Sequence, residues 1–240
     1  MRPDAFHADL EKLRPSDTLE QRQIAACLPQ PWTFDTVPAG TEAARIAPLV
    51  RDWLLRTDDP RLGLLLYGPA GTGKTGLAVA AVHDAAERRV GSNHAWMVAA
   101  HPTVLADCAS GDWRRRPAPA QFYSWRKLKA ELDAAATGRA GFDECPPLSA
   151  DKILEEIEDR CAVLAIDDID VGACTPWKEE ILLRLLDIPA QRLGRLILTC
   201  NYNPRSDEGR ARLGERIADR VMSPQTFVRY EFTEVATLRG

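Results

Sequence analysis

The sequence holds no C-x-x-C pair, no apolar run approaching the ~18 residues of a membrane-spanning helix, and no excess of positive charge. Each absence narrows the function classes. The six cysteines, Cys27, Cys108, Cys145, Cys161, Cys174 and Cys200, stand singly, and two of them lie within or beside expected strands. Free thiols in a reducing cytoplasm are therefore expected. The opening MRPDAFHADLEKL carries charge through the region where a signal peptide needs its apolar core. Together with the missing span, this predicts a soluble, cytoplasmic protein with no membrane partner. With a formal net charge of −4, any contact with nucleic acid has to come from a local basic surface. What is present is a chain of 240 residues, 45% hydrophobic, long enough to bury a full core as one α/β domain with a modest extension.

The most specific signal is LYGPAGTGKT, Leu66 to Thr75. Gly68, four residues, then Gly73, Lys74 and Thr75 is the spacing of a phosphate-binding loop. Its glycines let backbone N–H groups turn inward on an anion, its lysine reaches the β- and γ-phosphates, and its hydroxyl ligates magnesium. The flanks agree with that reading. LGLLLY before the loop reads as a buried strand, and the alanine-rich TGLAVAAVHDAAERR after it reads as a helix whose N-terminus faces the phosphates.

Along the chain, residues 1–30 show two short helical patterns, Asp4 to Leu13 and Ser16 to Leu28, and form an expected N-terminal extension to a domain of residues 31–240. Ile46, Leu49, Val50, Trp53 and Leu54 at helical spacing predict an amphipathic helix leading into the first strand. Two readings fit the next stretch. Either AWMVAA is the second strand, or residues 92–120 are an insertion and QFYSW is that strand; the second is preferred because FYSWRKLKAELDAAA passes straight from strand to helix. SADKILEEIEDR then predicts a capped helix with Ile153, Leu154 and Ile157 on one face, and CAVLAIDD a continuous buried strand. Thr175 and Pro176 open a helix over TPWKEEILLRLLDIPAQR, and GRLILTCN is another buried strand. SDEGRARLGERIADRVM predicts a further helix, interrupted or begun around Gly209, before an edge strand in TFVRYEF. Strands alternating with helices give a parallel sheet covered on both faces.

Ligands of such sheets bind at the carboxyl ends of strands. There AIDDID places Asp167 to orient magnesium or its waters, and Asp168 to polarise an attacking water. Asn201, ending LTCN, suits holding the lytic water or a γ-phosphate. Arg216 and Arg220 are four apart, hence on one helix face, and suit either completion of a neighbour's site or pairing with Glu215 and Asp219. Between Trp113 and Ala130, Arg114, Arg115, Arg116, Arg126, Lys127 and Lys129 are interleaved with Phe122, Tyr123 and Trp125. That mixture suits single-stranded nucleic acid, and the same rings suit a core.

Taken in order, these pieces resemble an AAA+ ATPase, within that group the bacterial helicase loaders of the DnaC/DnaI type and the related IstB transposition helpers. GPAGTGKT is similar to the Walker A loop, VLAIDDID to Walker B, LILTCNYNP to the sensor 1 strand, and LGERIADRVM to the helix carrying the arginine finger. The similarity runs from about Phe34 onward. It implies that Gly68, Pro69, Ala70, Gly71, Thr72, Gly73, Lys74, Thr75 and Gly76 hold ATP. It further implies that Thr75 and Asp167 support Mg2+, that Asp168 is the base and Asn201 the sensor, and that Arg216 or Arg220 acts in trans. The implied fold is a P-loop parallel sheet with helices on both faces; as departures from the family, a small helical N-terminal extension and no C-terminal lid are expected. The implied function is an ATP-hydrolysing homo-oligomer that assembles on single-stranded DNA and loads a replicative helicase. A transposition helper engaging a transposase and a self-contained small-molecule kinase are the alternatives. The family usually has Glu where Asp168 stands, so slow turnover is expected; it also usually has glycine where Asp170 stands.

Overall fold

The computed structural model describes residues 32–56, 59–90, 120–136, 149–160, 163–192 and 194–233. The expected N-terminal extension, Arg114, Arg115 and Arg116, and Cys27, Cys108, Cys145 and Cys161 lie outside the described residues, as does all but the last residue of the 92–120 stretch.

Five strands, β1 (Gly63–Tyr67), β2 (Ala120–Ser124), β3 (Val163–Asp167), β4 (Arg195–Cys200) and β5 (Phe227–Glu231), form one sheet in the order β2-β3-β4-β1-β5. Every pairing is parallel, with Leu65 opposite Leu198 on one side of β1 and Arg229 on the other. Burial on both faces explains why β1, β3 and β4 read as unbroken apolar runs, and edge position why β5 does not. QFYSW does supply the strand next to β3, as β2, and passes directly into a helix.

Before and after the first strand come α1 (Glu42–Leu55) and α2 (Lys74–Val90), followed along the chain by α3 (Trp125–Ala136), α4 (Ala150–Arg160), α5 (Pro176–Arg192), α6 (Asp207–Leu213) and α7 (Glu215–Val221). Alternation along the strands divides the core in two. Leu64, Leu66, Ala165 and Ile197 point to α1 and α2, whereas Leu65, Ile166, Leu196 and Leu198 point to the side of α3, α4, α5 and α7. Caps start the helices where side-chain oxygens take orphan N–H groups: Thr41 accepts from Ala44 at 3.1 Å, Ser149 from Lys152 at 3.2 Å and Thr175 from Lys178 at 3.1 Å. Among the described residues no helix is long and apolar enough to cross a membrane.

Two expectations are corrected. Leu49 was expected on the buried face of α1 and is 48% exposed, because Ile46, Val50, Trp53 and Leu54 already fill that stripe. The helix over 207–221 breaks at Gly214 and not at Gly209. Gly214 takes φ +85°, a left-handed conformation that ends α6 and opens α7, while Gly209 lies inside α6 where a Cβ would stand 2.1 Å from the Asn203 carbonyl oxygen.

Candidate nucleotide site

The loop after β1 turns at the sheet's carboxyl edge. Gly71 and Gly73 take φ of +83° and +98°, which other residues rarely adopt, and the chain then enters α2 at Lys74. Lys74 is buried, its ammonium donating to the carbonyls of Gly68 at 2.8 Å and Pro69 at 2.6 Å. Burial pushes its pKa down. Thr72 donates to the Pro69 carbonyl at 3.0 Å, so Gly68, Pro69 and Thr72 form the inner wall of the turn. The cleft is lined by Trp32, Ala70, Gly71, Gly73, Lys74, Thr75, Gly76, Asp168 and Asn201.

Beneath it, three chain segments are tied together. Thr75 donates its hydroxyl to Asp167, at 2.9 and 3.1 Å from the two oxygens. Thr199 donates to the same carboxylate at 2.5 Å, and its oxygen accepts the backbone N–H of Asp168 at 2.9 Å. Asn201 donates its side-chain amide to Asp168 Oδ1 at 2.9 Å. Asp168 has φ +55°, the only non-glycine positive φ among the described residues, so the chain is held in a strained turn that aims this carboxylate at the cleft. Asp167 is nine-tenths buried beside that charge, and burial first, then Asp168, pushes its carboxyl up to about 6 against the hydrogen bonds from Thr199 and Thr75.

Sequence reading missed two participants. Trp32 lies against Gly76, where a Cβ would meet the indole Cε3 at 2.0 Å, and makes one wall of the cleft; no local motif marks it. Thr199 is fully buried within a strand that reads as plain core. Valine in its place keeps the shape but leaves the Asp168 N–H without its acceptor and Asp167 without one donor. Thr199→Val is therefore expected to lower unfolding stability by about 2 to 3 kcal/mol, read by urea denaturation.

Arg216 and Arg220 are not brought to this cleft. Both are exposed on α7, but Arg220 pairs with Asp187 on α5, whereas Arg216 has no ion pair or hydrogen bond among the described residues. Of the two alternatives for these arginines, the pairing with Asp219 is not seen: Asp219 takes Arg210 at 3.1 Å. Phe122 and Trp125 are core residues, which removes them as stacking surfaces for a nucleic acid.

No protein-family model matches the chain, and no curated protein does. Solved structures do. The putative primosome component from Streptococcus pyogenes serotype M3 aligns over 97% of both chains at 15% identity, TM-score 0.52. The DnaC helicase loader aligns over 84% of this chain and 96% of its own, at 19% identity and TM-score 0.54. This chain shares their fold, a parallel sheet covered by helices on both faces. The replication initiator DnaA bound to AMPPCP and single-stranded DNA shares it at 15% identity and TM-score 0.54; 84% of this chain aligns, spanning 50% of that one. The sheet order accounts for the site: β1, β4 and β3 lie side by side, so the loop, the paired aspartates and Asn201 meet at one edge.

The donor set fits a magnesium-bound nucleoside triphosphate. A hydroxyl and a buried carboxylate within hydrogen-bond distance offer oxygen ligands. A glycine turn, a lysine and a helix N-terminus provide for the phosphates.

Proposed function

We propose that this chain is an ATP-binding and hydrolysing AAA+ switch that oligomerises on single-stranded DNA and loads or recruits a DNA-processing partner, a replicative helicase above all. The observation that carries the reading is the Thr75–Asp167–Thr199–Asp168–Asn201 network set directly under a phosphate loop. The likeness to a DnaA structure holding AMPPCP and single-stranded DNA, and to a helicase loader, supports it.

In this reading Lys74 exchanges its two carbonyl partners for phosphate oxygens, and the backbone N–H groups of Gly71 and Gly73 close on the anion. Thr75 and Asp167 would hold Mg2+, which when bound would supply charge neutralisation at the phosphates. Asp168 takes the proton of the attacking water as the water oxygen bonds to the γ-phosphorus and the bond to the β–γ bridging oxygen breaks. Asn201 holds Asp168 in the orientation that does this. Arg216, free at the surface of α7, reaches the site of a neighbouring copy.

Trp32 offers its ring to the base. Stacking of this kind contributes roughly 1–3 kcal/mol, so Trp32→Ala is expected to weaken ATP binding by about tenfold and leave inorganic tripolyphosphate binding unchanged, both read by calorimetric titration.

The experiment that tests the function is ATPase rate against protein concentration, with and without single-stranded DNA, for wild type and Lys74→Ala. A rate per subunit that rises with concentration and with DNA, and that vanishes in Lys74→Ala, supports a shared-site switch. A rate indifferent to concentration and to DNA overturns it in favour of a self-contained nucleotide enzyme.

A further inference from the structure

One buried carboxylate at this edge has no part in the roles above. Asp170 is 1% exposed, three residues past the end of β3. Its Oδ2 accepts two backbone N–H groups at the end of β4, from Asn201 at 2.7 Å and from Tyr202 at 3.1 Å. Its Oδ1 has no hydrogen-bond partner among the described residues. Burying a carboxylate with an unsatisfied oxygen costs stability, and burial pushes its pKa up. The segment just beyond it is anchored as well: Lys178, also buried, donates its ammonium to the carbonyls of Val171 at 3.2 Å and of Arg212 on α6 at 3.0 Å.

These bonds lock one residue whose direction matters. Strand pairing between β3 and β4 ends at Ile166 opposite Leu198, and one further backbone bond joins the Ile169 N–H to the Thr199 carbonyl at 3.1 Å. Past that point the N–H groups of Asn201 and Tyr202 would have no backbone acceptor across the gap, and the Asp170 carboxylate supplies one. A charged acceptor taking two N–H groups on one oxygen makes shorter and stronger bonds than a neutral one. The side-chain amide of the residue so held donates to Asp168.

We propose that Asp170 is a positioning residue for ATP hydrolysis: by clamping the backbone of Asn201 it sets the amide that orients Asp168 toward the attacking water. The inference rests on the hydrolytic reading of the site. Asp170 does not line the cleft, so its removal is expected to slow the chemical step without weakening binding.

The test is single-turnover ATP hydrolysis together with ADP affinity, on the full chain, for wild type, Asp170→Gly, Asp170→Asn, Asn201→Ala and the double variant Asp170→Gly/Asn201→Ala. Misplacing a reacting group by a fraction of an ångström costs roughly ten- to a hundredfold in rate. Asp170→Gly is expected to lose that much in rate with ADP affinity within about twofold of wild type, the split that marks an interaction made in the transition state. Asp170→Asn keeps an oxygen in place for the two N–H groups and is expected to retain most of the rate, which also guards against a glycine variant that merely folds badly. In the Asn201→Ala background Asp170→Gly is expected to add no further loss, because the two act as one unit. The proposal is overturned by an unchanged rate in Asp170→Gly, by a parallel loss of ADP affinity, by Asp170→Asn failing as badly as glycine, or by full additivity with Asn201→Ala. Wild type that binds ATP and never hydrolyses it overturns both this proposal and the hydrolytic reading, whereas turnover indifferent to Asp170 overturns the proposal alone.

Discussion

Arg216→Ala is expected to cut the ATPase rate of the assembled protein by about a thousandfold, the lower end of what an arginine finger contributes, with nucleotide affinity per subunit unchanged. The reason is chemical: a guanidinium arriving from a neighbour neutralises charge that develops on the γ-phosphoryl oxygens only as the bond to the leaving group breaks, so its loss is felt in rate and not in ground-state binding. Arg216 is chosen over Arg220 because its side chain is exposed and uncommitted among the described residues, while Arg220 is occupied by Asp187. Arg220→Ala removes a surface ion pair, contributing about 1 kcal/mol or less, and is expected to leave the rate nearly intact. A mixing experiment tests the trans role. Lys74→Ala cannot hold ATP but still carries Arg216, and Arg216→Ala has an intact loop. Combining the two inactive proteins is expected to restore a substantial part of the activity, and mixtures that stay inactive would sink the assignment.

Asp167→Asn is expected to abolish magnesium-dependent ATP binding and yet to make the nucleotide-free protein more stable. The sign follows from proton linkage. Asp167 has a folded-state pKa of about 6 against an ordinary value of 3.8, so between those pH values the folded chain holds a proton that the unfolded chain releases. Stability from this group therefore falls as pH rises from about 4 to about 6 and stays at its lower level above that. The shift corresponds to about 3 kcal/mol, or roughly 6 to 12 °C in melting temperature for a chain of this size. Asparagine carries no charge to desolvate and escapes this penalty while still accepting from Thr199. In EDTA, thermal melts of wild type and variant are expected to coincide near pH 4, diverge up to pH 6 and run parallel above it. A variant that melts below wild type at pH 7.5 would contradict the electrostatic account. Adding magnesium and ATP should raise the wild-type melting temperature alone, because only there does a cation find both Thr75 and Asp167.

Much of this was legible before any coordinates. The phosphate loop announces itself because its requirements are local: glycines at fixed intervals, then lysine and threonine, between a strand and a helix. Asp167, Asp168 and Asn201 were legible for a related reason, since a polar residue closing an unbroken apolar strand in a parallel sheet falls at the ligand-binding edge. QFYSW was legible as a strand by the same continuity into its helix. Where expectation failed, two local signals competed. Gly209 and Gly214 both mark a break in principle, and the left-handed φ at Gly214 decided between them, with Gly209 serving close approach to Asn203. Leu49 fits a helical stripe as well as its neighbours do, and only the position of the sheet says which side of α1 is covered.

The sequence by itself determined the α/β class, the glycine-rich loop between strand and helix, and the identity of the aspartates and asparagine at the strand ends, because each depends on residues within a few positions of one another. The tertiary structure alone decided that Thr199 holds Asp167 and Asp168, that Trp32 walls the cleft, that Asp170 accepts from the backbone of Asn201, and that Arg220 is engaged while Arg216 has no partner among the described residues. The physical reason is separation: Thr75 and Asp167 lie 92 residues apart, and Asp168 and Asn201 33. They meet only because the sheet order β3-β4-β1 lays three strand ends side by side, and no periodicity along the chain encodes which strands become neighbours.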